Sequence, residues 1–490
     1  MELPSFLQPM DSYLGNAQTA IQTPAPMTNN GVVKGVSENA NLAQFLQAEA
    51  AKAGLLQSAN IGQPSGEVAT DKLKFMLVGT HCHQYTGYSK VTYGFIKELA
   101  KVPFLDVVHF GFQKHSQVNP LYRPYPLNVK AIDAAALEKA VPGGQPPQGF
   151  GYTALPDVIR KEKPNVVLIY NDMAVVTRFL EEIRKSGIPR NFKIWVYIDQ
   201  VYNTQLQALI DVLNRESDRV FAFTSYWKKC IKDQGVNRPI DVLGHGFEED
   251  VFKPMSRMEA RKKAGLSQFP EDAFIMVNIN RNQPRKRYDL LLIAFAEMVV
   301  KYPTKPVFLL CVCDRGEKGG WPLQEIYIRE LKLRGANVEQ FMGRLLISSQ
   351  DMVFKDEDIN MFYNLADIGV TCADGEGWGL CAFEQMGVGV PQVVPELGGF
   401  KEFCTAENSV LVKPKYRMYL PLVHSPVGGE AEVVDPHDYC LAMEEYLLDS
   451  QKRKAHGEAA RAKVLSYTWE RATANLVKRL RQENEDKDDE

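Results

Sequence analysis

Asp374 to Phe403 reads DGEGWGLCAFEQMGVGVPQVVPELGGFKEF, with Glu376 and Glu384 eight positions apart and seven glycines in the whole stretch. The run just before it, IGVTCA (Ile368 to Ala373), is short, apolar and partly β-branched, which reads as a buried strand. GLCAFEQMGVG reads as a helix that starts near Gly379. The turn between them therefore sits where a strand hands over to a helix, and open α/β sheets bind ligands at the carboxyl ends of their strands. A helix start presents free N–H groups and partial positive charge, both suited to a phosphate. Glycines at 377 and 379 let the backbone approach such a ligand closely. Glu384, four after Leu380 on the same helix face, is placed to accept hydrogen bonds from two vicinal hydroxyls, as on a ribose. Glu376 stays in the turn, near whatever lies beyond the phosphates. Carboxylate, anion cradle, carboxylate is an order that suits a sugar–diphosphate–nucleoside. The competing reading is a turn shaped by packing alone.

Outward from this stretch, short apolar runs alternate with helical ones from Asp71 onward. One set comprises FMLVGT, VVHFGF, VVLIY, IWVYI, VFAFT and IDVLGHG; a second comprises FIMVNIN, VFLLCVC, VEQFMG, IGVTCA, QVVPE and SVLVKP. Such runs suit parallel strands covered on both faces, and the helical stretches between them complete βαβ units. Two sets of about six strands predict two doubly wound sheets. The Gly- and Pro-bearing segment GHGFEEDVFKP (Gly244 to Pro254) reads as the join. The expected organisation is an N-terminal extension over 1–70 with one short helix through Leu42, Phe45 and Leu46, a first Rossmann-like domain over 71–245, a second over 246–455, a helix over 456–482 and a solvated, mobile acidic tail over 483–490.

The totals exclude several classes. The 490 residues are 45% hydrophobic and 24% charged, as in ordinary globular proteins, and the net charge of −3 gives no global field for nucleic acid or anionic lipid. No apolar run approaches the roughly 20 residues of a membrane span, and the first residues lack a signal-peptide pattern, so a cytoplasmic location is expected. Eight scattered cysteines without CxxC or metal spacing read as buried free thiols.

Arg281 and Lys286 lie in the loop NINRNQPRKRYD before an amphipathic helix. Cations at that strand end are placed to neutralise a diphosphate leaving group, although a basic loop is also an ordinary solvated surface. Arg285 and Arg287 stay open between site and surface. His81 and His83, with no third ligand in sight, read as polar loop groups rather than a metal site. Asp356 to Asp358 reads as negative charge at a helix start. No GxGxxG follows the first strand, which argues against a nicotinamide dehydrogenase.

At this point the second half resembles the GT-B glycosyltransferases of the large retaining family 4, which includes phosphatidylinositol mannosyltransferases and sucrose synthases. The motifs are Glu376-x7-Glu384, Gly389-Val390-Pro391, Gly398-Gly399-x-x-Glu402 and the Arg281-x4-Lys286 pair, while GHGFEEDVFKP is similar to the family's N-G-V-D-x-x-x-F-x-P with His245, Phe247 and Glu248 replacing Asn, Val and Asp. The resemblance spans about Lys74 to Arg479 and is thin in the first half. It implies a GT-B fold: two Rossmann-like domains, an interdomain cleft, and a closing helix (around SYTWERATANL) that crosses back to the first domain. It implies retaining transfer of a sugar from a nucleotide-diphosphate sugar, UDP or GDP type, to a hydroxyl acceptor; the sequence shows no amphipathic basic helix for membrane docking, which favours a glycan over a lipid. No cofactor or essential metal is implied. By residue, it implies that Glu384 holds the ribose, Arg281, Lys286 and the Gly379 and Leu380 N–H groups hold the diphosphate, and Glu376 contacts the donor sugar. Two departures stand in the first half. The loop GTHCHQYTGYSK keeps only Gly87 of the family's double glycine, and Asp199 occupies the neighbourhood where the family often has a histidine. Asp199 is open between bonding a sugar or acceptor hydroxyl and capping the helix around TQLQALIDVL. The alternatives are a GT-B-shaped binding or structural protein without turnover, which those departures motivate, and a sugar epimerase. The chain also looks like glycosyltransferases encoded by large DNA viruses, which would place it in host cytoplasm.

Overall fold

The computed structural model describes residues 72–115, 118–139, 148–313, 320–348, 354–422 and 425–489. The expected extension over 1–70, with its helix, lies outside the described residues.

Strands β1 (Leu73–Thr80), β2 (Leu105–Phe112), β3 (Val129–Asp133), β4 (Val166–Asp172), β5 (Lys193–Asp199), β6 (Arg219–Ala222) and β7 (Ile240–Val242) form one sheet in the order 3-2-1-4-5-6-7. Strands β8 (Phe274–Ile279), β9 (Val307–Val312), β10 (Leu345–Ile347), β11 (Ile368–Val370), β12 (Gln392–Pro395) and β13 (Ser409–Val412) form the second, in the order 10-9-8-11-12-13. All pairings in both sheets are parallel. The two orders are the same doubly wound pattern, and in each the direction of winding reverses between the first and fourth strands of the set. Central strands are buried almost throughout, as the uninterrupted apolar runs require: every residue of β1 but Lys74 is buried, and every residue of β8 but Ile279.

Some elements differ from the expectation. VEQFMG is a short helix, Val338–Phe341, and the strand follows it at Leu345–Ile347. Asn337 caps that helix by accepting the Glu339 N–H at 3.1 Å, so a local side-chain bond outweighs the apolar look of the run. The first sheet gains β3, in which Val129 is buried and Lys130 and Ala131 are exposed. A hairpin of β14 (Tyr416–Tyr419) and β15 (Glu430–Val433) was not anticipated. The boundary at 455/456 falls inside a helix, Ser450–Leu465, and the acidic tail continues a second helix, Trp469–Asp489, in place of a mobile end.

That last helix does cross to the first sheet. Asn475 donates to the Val242 carbonyl at 2.9 Å, and Arg479 pairs with Asp241 at 2.9 Å. Trp469 anchors its start against helix α1 (Gly87–Leu99), with the indole lying where a Cβ on Gly94 would come within 2.3 Å of it. At the join, His245 is buried between Phe223 and Trp378, and burial holds its imidazole at about 3, hence neutral.

Candidate active site

The carboxyl ends of the two sheets supply the site. After β11 the chain turns through Asp374 to Trp378 and enters helix α2 (Leu380–Gly387), with Gly379 as N-cap at φ +95°. That left-handed conformation suits glycine, and the ring of Phe400 lies where a Cβ would come within 2.5 Å of it. The GG pair closes the turn from behind: Gly399 N–H donates to the Glu376 carbonyl at 2.9 Å. Methyl groups on Gly398 or Gly399 would run into the Glu376 and Gly377 carbonyls, at 2.5 and 2.3 Å.

The loop after β8 meets this turn. Lys286 Nζ lies 2.5 Å from Glu376 Oε2, and Arg285 donates to the same oxygen and to the Gly375 carbonyl, each at 3.1 Å. The backbones are stitched as well, with Asp374 N–H on the Arg285 carbonyl at 3.0 Å. Burial alone would raise the Glu376 carboxyl, but Lys286 and Arg285 outweigh it and hold the group below its ordinary value, so it is an anion. Burial and the neighbouring Arg285 push the Lys286 ammonium down, against the pull of Glu376. Arg281 is not part of this cluster. It is exposed at the start of the loop and lies near His115 of the first lobe, whose imidazole is lowered by burial and then by Arg281. Arg285, which the sequence left between site and surface, is the arginine that reaches Glu376. Arg287 faces Asp289 at 2.8 Å and Asp374 at 3.6 Å.

Glu384 is buried on α2 and faces the first lobe. Lys90, on the first turn of α1, donates to its two oxygens at 2.8 and 3.0 Å, and the Tyr363 hydroxyl donates at 2.8 Å. Burial raises the Glu384 carboxyl more than Lys90 lowers it. Lys90 also pairs at 3.2 Å with Asp356, which accepts from Arg123 at 3.1 Å and from the Tyr122 hydroxyl at 2.6 Å. Asp356 opens helix α3 (Asp356–Leu365), as its charge at a helix start suggested, and it is also an interlobe contact. Gly87 begins α1 behind a Thr86–Ser89 capping box, and Leu380 Cδ1 lies 3.0 Å from where its Cβ would be.

Asp199, at the end of β5, accepts the Tyr88 hydroxyl at 2.7 Å. The helix it was proposed to cap, Gln207–Glu216, begins at Leu206 without a side-chain cap, so that role falls away. Gly377 lets Asp199 abut the turn: a methyl there would sit 1.9 Å from Asp199 Oδ1. Burial raises the Asp199 carboxyl to about 6 against the Tyr88 bond and Arg285, and burial likewise raises Asp374 to about 6. His81 and His83 are both buried, their rings 4.8 Å apart, with His109 6.1 Å from His81. Among the described residues no group of three His, Cys, Asp or Glu side chains is arranged to hold a metal ion.

The structure thus brings Glu376, Lys286, Gly377, Gly379, Leu380, Asp199 and Gly87 to one cleft, with Glu384 one helical turn further in. Arg285, Lys90, Tyr88, Tyr363 and Asp356 were missed as members. For Lys90 the available signal was its place three residues beyond Gly87, on the first turn of the helix that faces α2.

Comparison with known proteins agrees with the fold. Residues 260–463 match the family model described as Glycosyl transferases group 1. The chain is 24% identical over 239 residues to the D-inositol 3-phosphate glycosyltransferase of Streptosporangium roseum, covering 49% of this chain and 48% of that protein. It is 28% identical over 265 residues to the enzyme of the same name from Geodermatophilus obscurus, covering 54% and 52%. The chain spans about half the length of the curated relatives it matches. Among solved structures, sucrose-phosphate synthase from Thermosynechococcus elongatus superposes with a TM-score of 0.61 at 17% identity, over 84% of this chain and 99% of that one. Anabaena Alr3699/HepE in complex with UDP-glucose does so at 0.60 and 14%, over 84% and 100%. The fold is GT-B, and both lobes are accounted for. No helix among the described residues is long and apolar enough to cross a membrane.

Proposed function

We propose that the chain is a retaining glycosyltransferase that moves a sugar from a nucleoside-diphosphate donor, of the UDP type, to a hydroxyl acceptor. The observation that carries this reading is the Lys286–Glu376–Arg285 cluster set against the N-terminus of α2. A buried lysine and a partly exposed arginine on one carboxylate at a helix start form a site where a diphosphate finds N–H donors, partial positive charge and counter-charge together. The solved neighbour Alr3699/HepE was obtained with UDP-glucose, which supports the UDP type over GDP.

In the proposed reaction the bond between the sugar's anomeric carbon and the diphosphate oxygen breaks as negative charge grows on the leaving diphosphate. Lys286 and the Gly379 and Leu380 N–H groups stabilise that charge, with Arg285 holding Glu376 beside the sugar. The acceptor oxygen bonds to the anomeric carbon on the face the diphosphate leaves, and the acceptor proton passes to a leaving phosphate oxygen. No dedicated side-chain base and no essential metal are required. Asp199, at the cleft and against Gly377, is placed to bond a hydroxyl of donor sugar or acceptor. Glu384 is assigned to the ribose, which means that Lys90 gives up its bond when the nucleotide enters.

Transfer or hydrolysis with a panel of UDP- and GDP-sugars tests the reading. Turnover is expected with the parent, and Lys286→Ala and Glu376→Ala are each expected to lower kcat about 10²–10³-fold, as for loss of one charge-stabilising group. The hold of Lys90 on Glu384 favours a second reading, a protein that binds nucleotide without turnover. Nucleotide binding without turnover of any donor would select it.

A further inference from the structure

Behind the second lobe, away from the cleft, a hollow of about 580 Å³ lies between helix α4 (Ser450–Leu465), the turn Gly389–Pro391 and the start of helix Arg257–Lys263. Its charge is unbalanced. Asp367, 3% exposed, is the buried carboxylate of its lining, the other, Glu458, being exposed, and three guanidinium groups converge on it. Arg257 approaches at 2.7 Å, Arg261 at 2.8 Å and Arg453 at 3.6 Å. Asp367 Oδ2 also accepts the Ile275 N–H at 2.8 Å, so its capacity is spent in holding β8 beside β11. Arg261 and Arg453 are largely sheltered from water, with side chains 3% and 18% exposed. Burial lowers both below the ordinary arginine value, and the neighbouring arginines lower them further. Arg461 and Lys454 border the same hollow. Their acidic partners, Glu249 at 3.2 Å and Glu458 at 4.0 Å, are 63% and 72% exposed and are therefore weakly held.

A carboxylate alone would need one guanidinium. Three about one buried anion leave an excess of positive charge, which Arg257, 43% exposed, and Arg453, 18% exposed, carry to the wall of the hollow, where a further counter-charge is favoured. Guanidinium forks present paired donors whose geometry suits the oxygens of a phosphate, and the volume lies in the range of small-molecule sites. We propose that this hollow is a second anion site, formed by Arg257, Arg453, Lys454 and Arg461 and taking a phosphate or phosphomonoester. It is separate from the donor cradle: it borders the chain that leaves the C-terminal end of α2, whereas the diphosphate is assigned to the N-terminal end, about 12 Å away along that eight-residue helix. The proposal does not depend on the transferase reading.

Calorimetric titration with inorganic phosphate, at ionic strength matched with sodium chloride, tests it in four proteins: the parent, Lys286→Ala, Arg257→Gln/Lys454→Gln, and Arg453→Gln. Both residues of the double variant are at least partly exposed, so that protein is expected to fold even if Arg453→Gln does not, which a melting curve checks. The expected result is phosphate binding that is unchanged in Lys286→Ala and at least tenfold weaker in the double variant. Absence of phosphate binding by the parent overturns the proposal. So does equal binding by a folded double variant, or loss in Lys286→Ala alone, which would put the phosphate in the donor cradle.

Discussion

At the scale of single residues, Asp199 shows how a position open in the sequence acquires a chemical role from its surroundings. It lies against Tyr88, Gly377 and the Arg285–Glu376 pair, and its carboxyl titrates near 6 chiefly because it is buried. A folded-state value above the unfolded value of 3.8 means that the fold favours the protonated acid. The stability this group contributes is present below about pH 4 and is lost as pH rises through about 6. Asp199→Asn removes that ionisation. Its melting temperature relative to the parent is therefore expected to rise between pH 4 and pH 8, by the equivalent of about 1–2 kcal/mol after allowance for partial exposure. Thermal melts at the two pH values check this, and an unchanged difference would show that the carboxyl is not raised. Catalysis should move the other way: if the anion bonds a sugar hydroxyl, activity of the parent falls below about pH 6, and this acid limb is reduced in Asp199→Asn. The shift was not legible in the sequence, because it depends on groups brought in from distant strands. Glu376 and Lys286 could be singled out because each lies in a short strand–turn–helix segment of its own, after β11 and after β8.

At the scale of elements, the same division holds. The turn before α2 and its glycines could be read locally, and the structure keeps them within a residue of the expected start at Gly379. The misreading of VEQFMG as a strand came from judging a short apolar run by composition when a single Asn cap decided its conformation. The contacts of α1 with α2 and α3 join residues as far as 294 positions apart, and no local pattern announces them. Lys90 is the centre of that contact, between Glu384 and Asp356. Replacing it with Met leaves two acids facing one another with less counter-charge, and like charges there favour separation. Lys90→Met is expected to open the cleft, read as an increase in the radius of gyration by small-angle X-ray scattering. An unchanged radius would show that the remaining contacts between the lobes, Asp356 with Arg123 and Tyr122 among them, suffice to hold them. The parent should show a milder version of the same effect at high salt, limited by the burial of the pair.

At the scale of the whole molecule, two sheets with the same strand order are held to each other by the join at Gly244 to Pro254 and by the closing helix. The repetition was legible because parallel strands buried on both faces leave uninterrupted apolar runs, whatever the sequence between them. Where the closing helix begins and ends was not legible, since the charged stretch around it lacks a sharp stop. Trp469 is the fixed point of that helix, packed on Phe95 at 5.4 Å between ring centroids and against Gly94 and Gly246. Trp469→Ala removes a buried indole at the join and is expected to cost about 3–5 kcal/mol, seen as a lower midpoint in denaturant. A loss under about 1 kcal/mol would mean the helix is anchored mainly by the Arg479–Asp241 pair.

The most direct measurement is a crystal structure of the chain with UDP bound. The account predicts the diphosphate at the start of α2, within hydrogen-bond distance of the Gly379 or Leu380 N–H and of Lys286 Nζ, with the ribose hydroxyls on Glu384 and Lys90 displaced. A UDP lodged elsewhere, with Lys286 still on Glu376 and Lys90 still on Glu384, would contradict it.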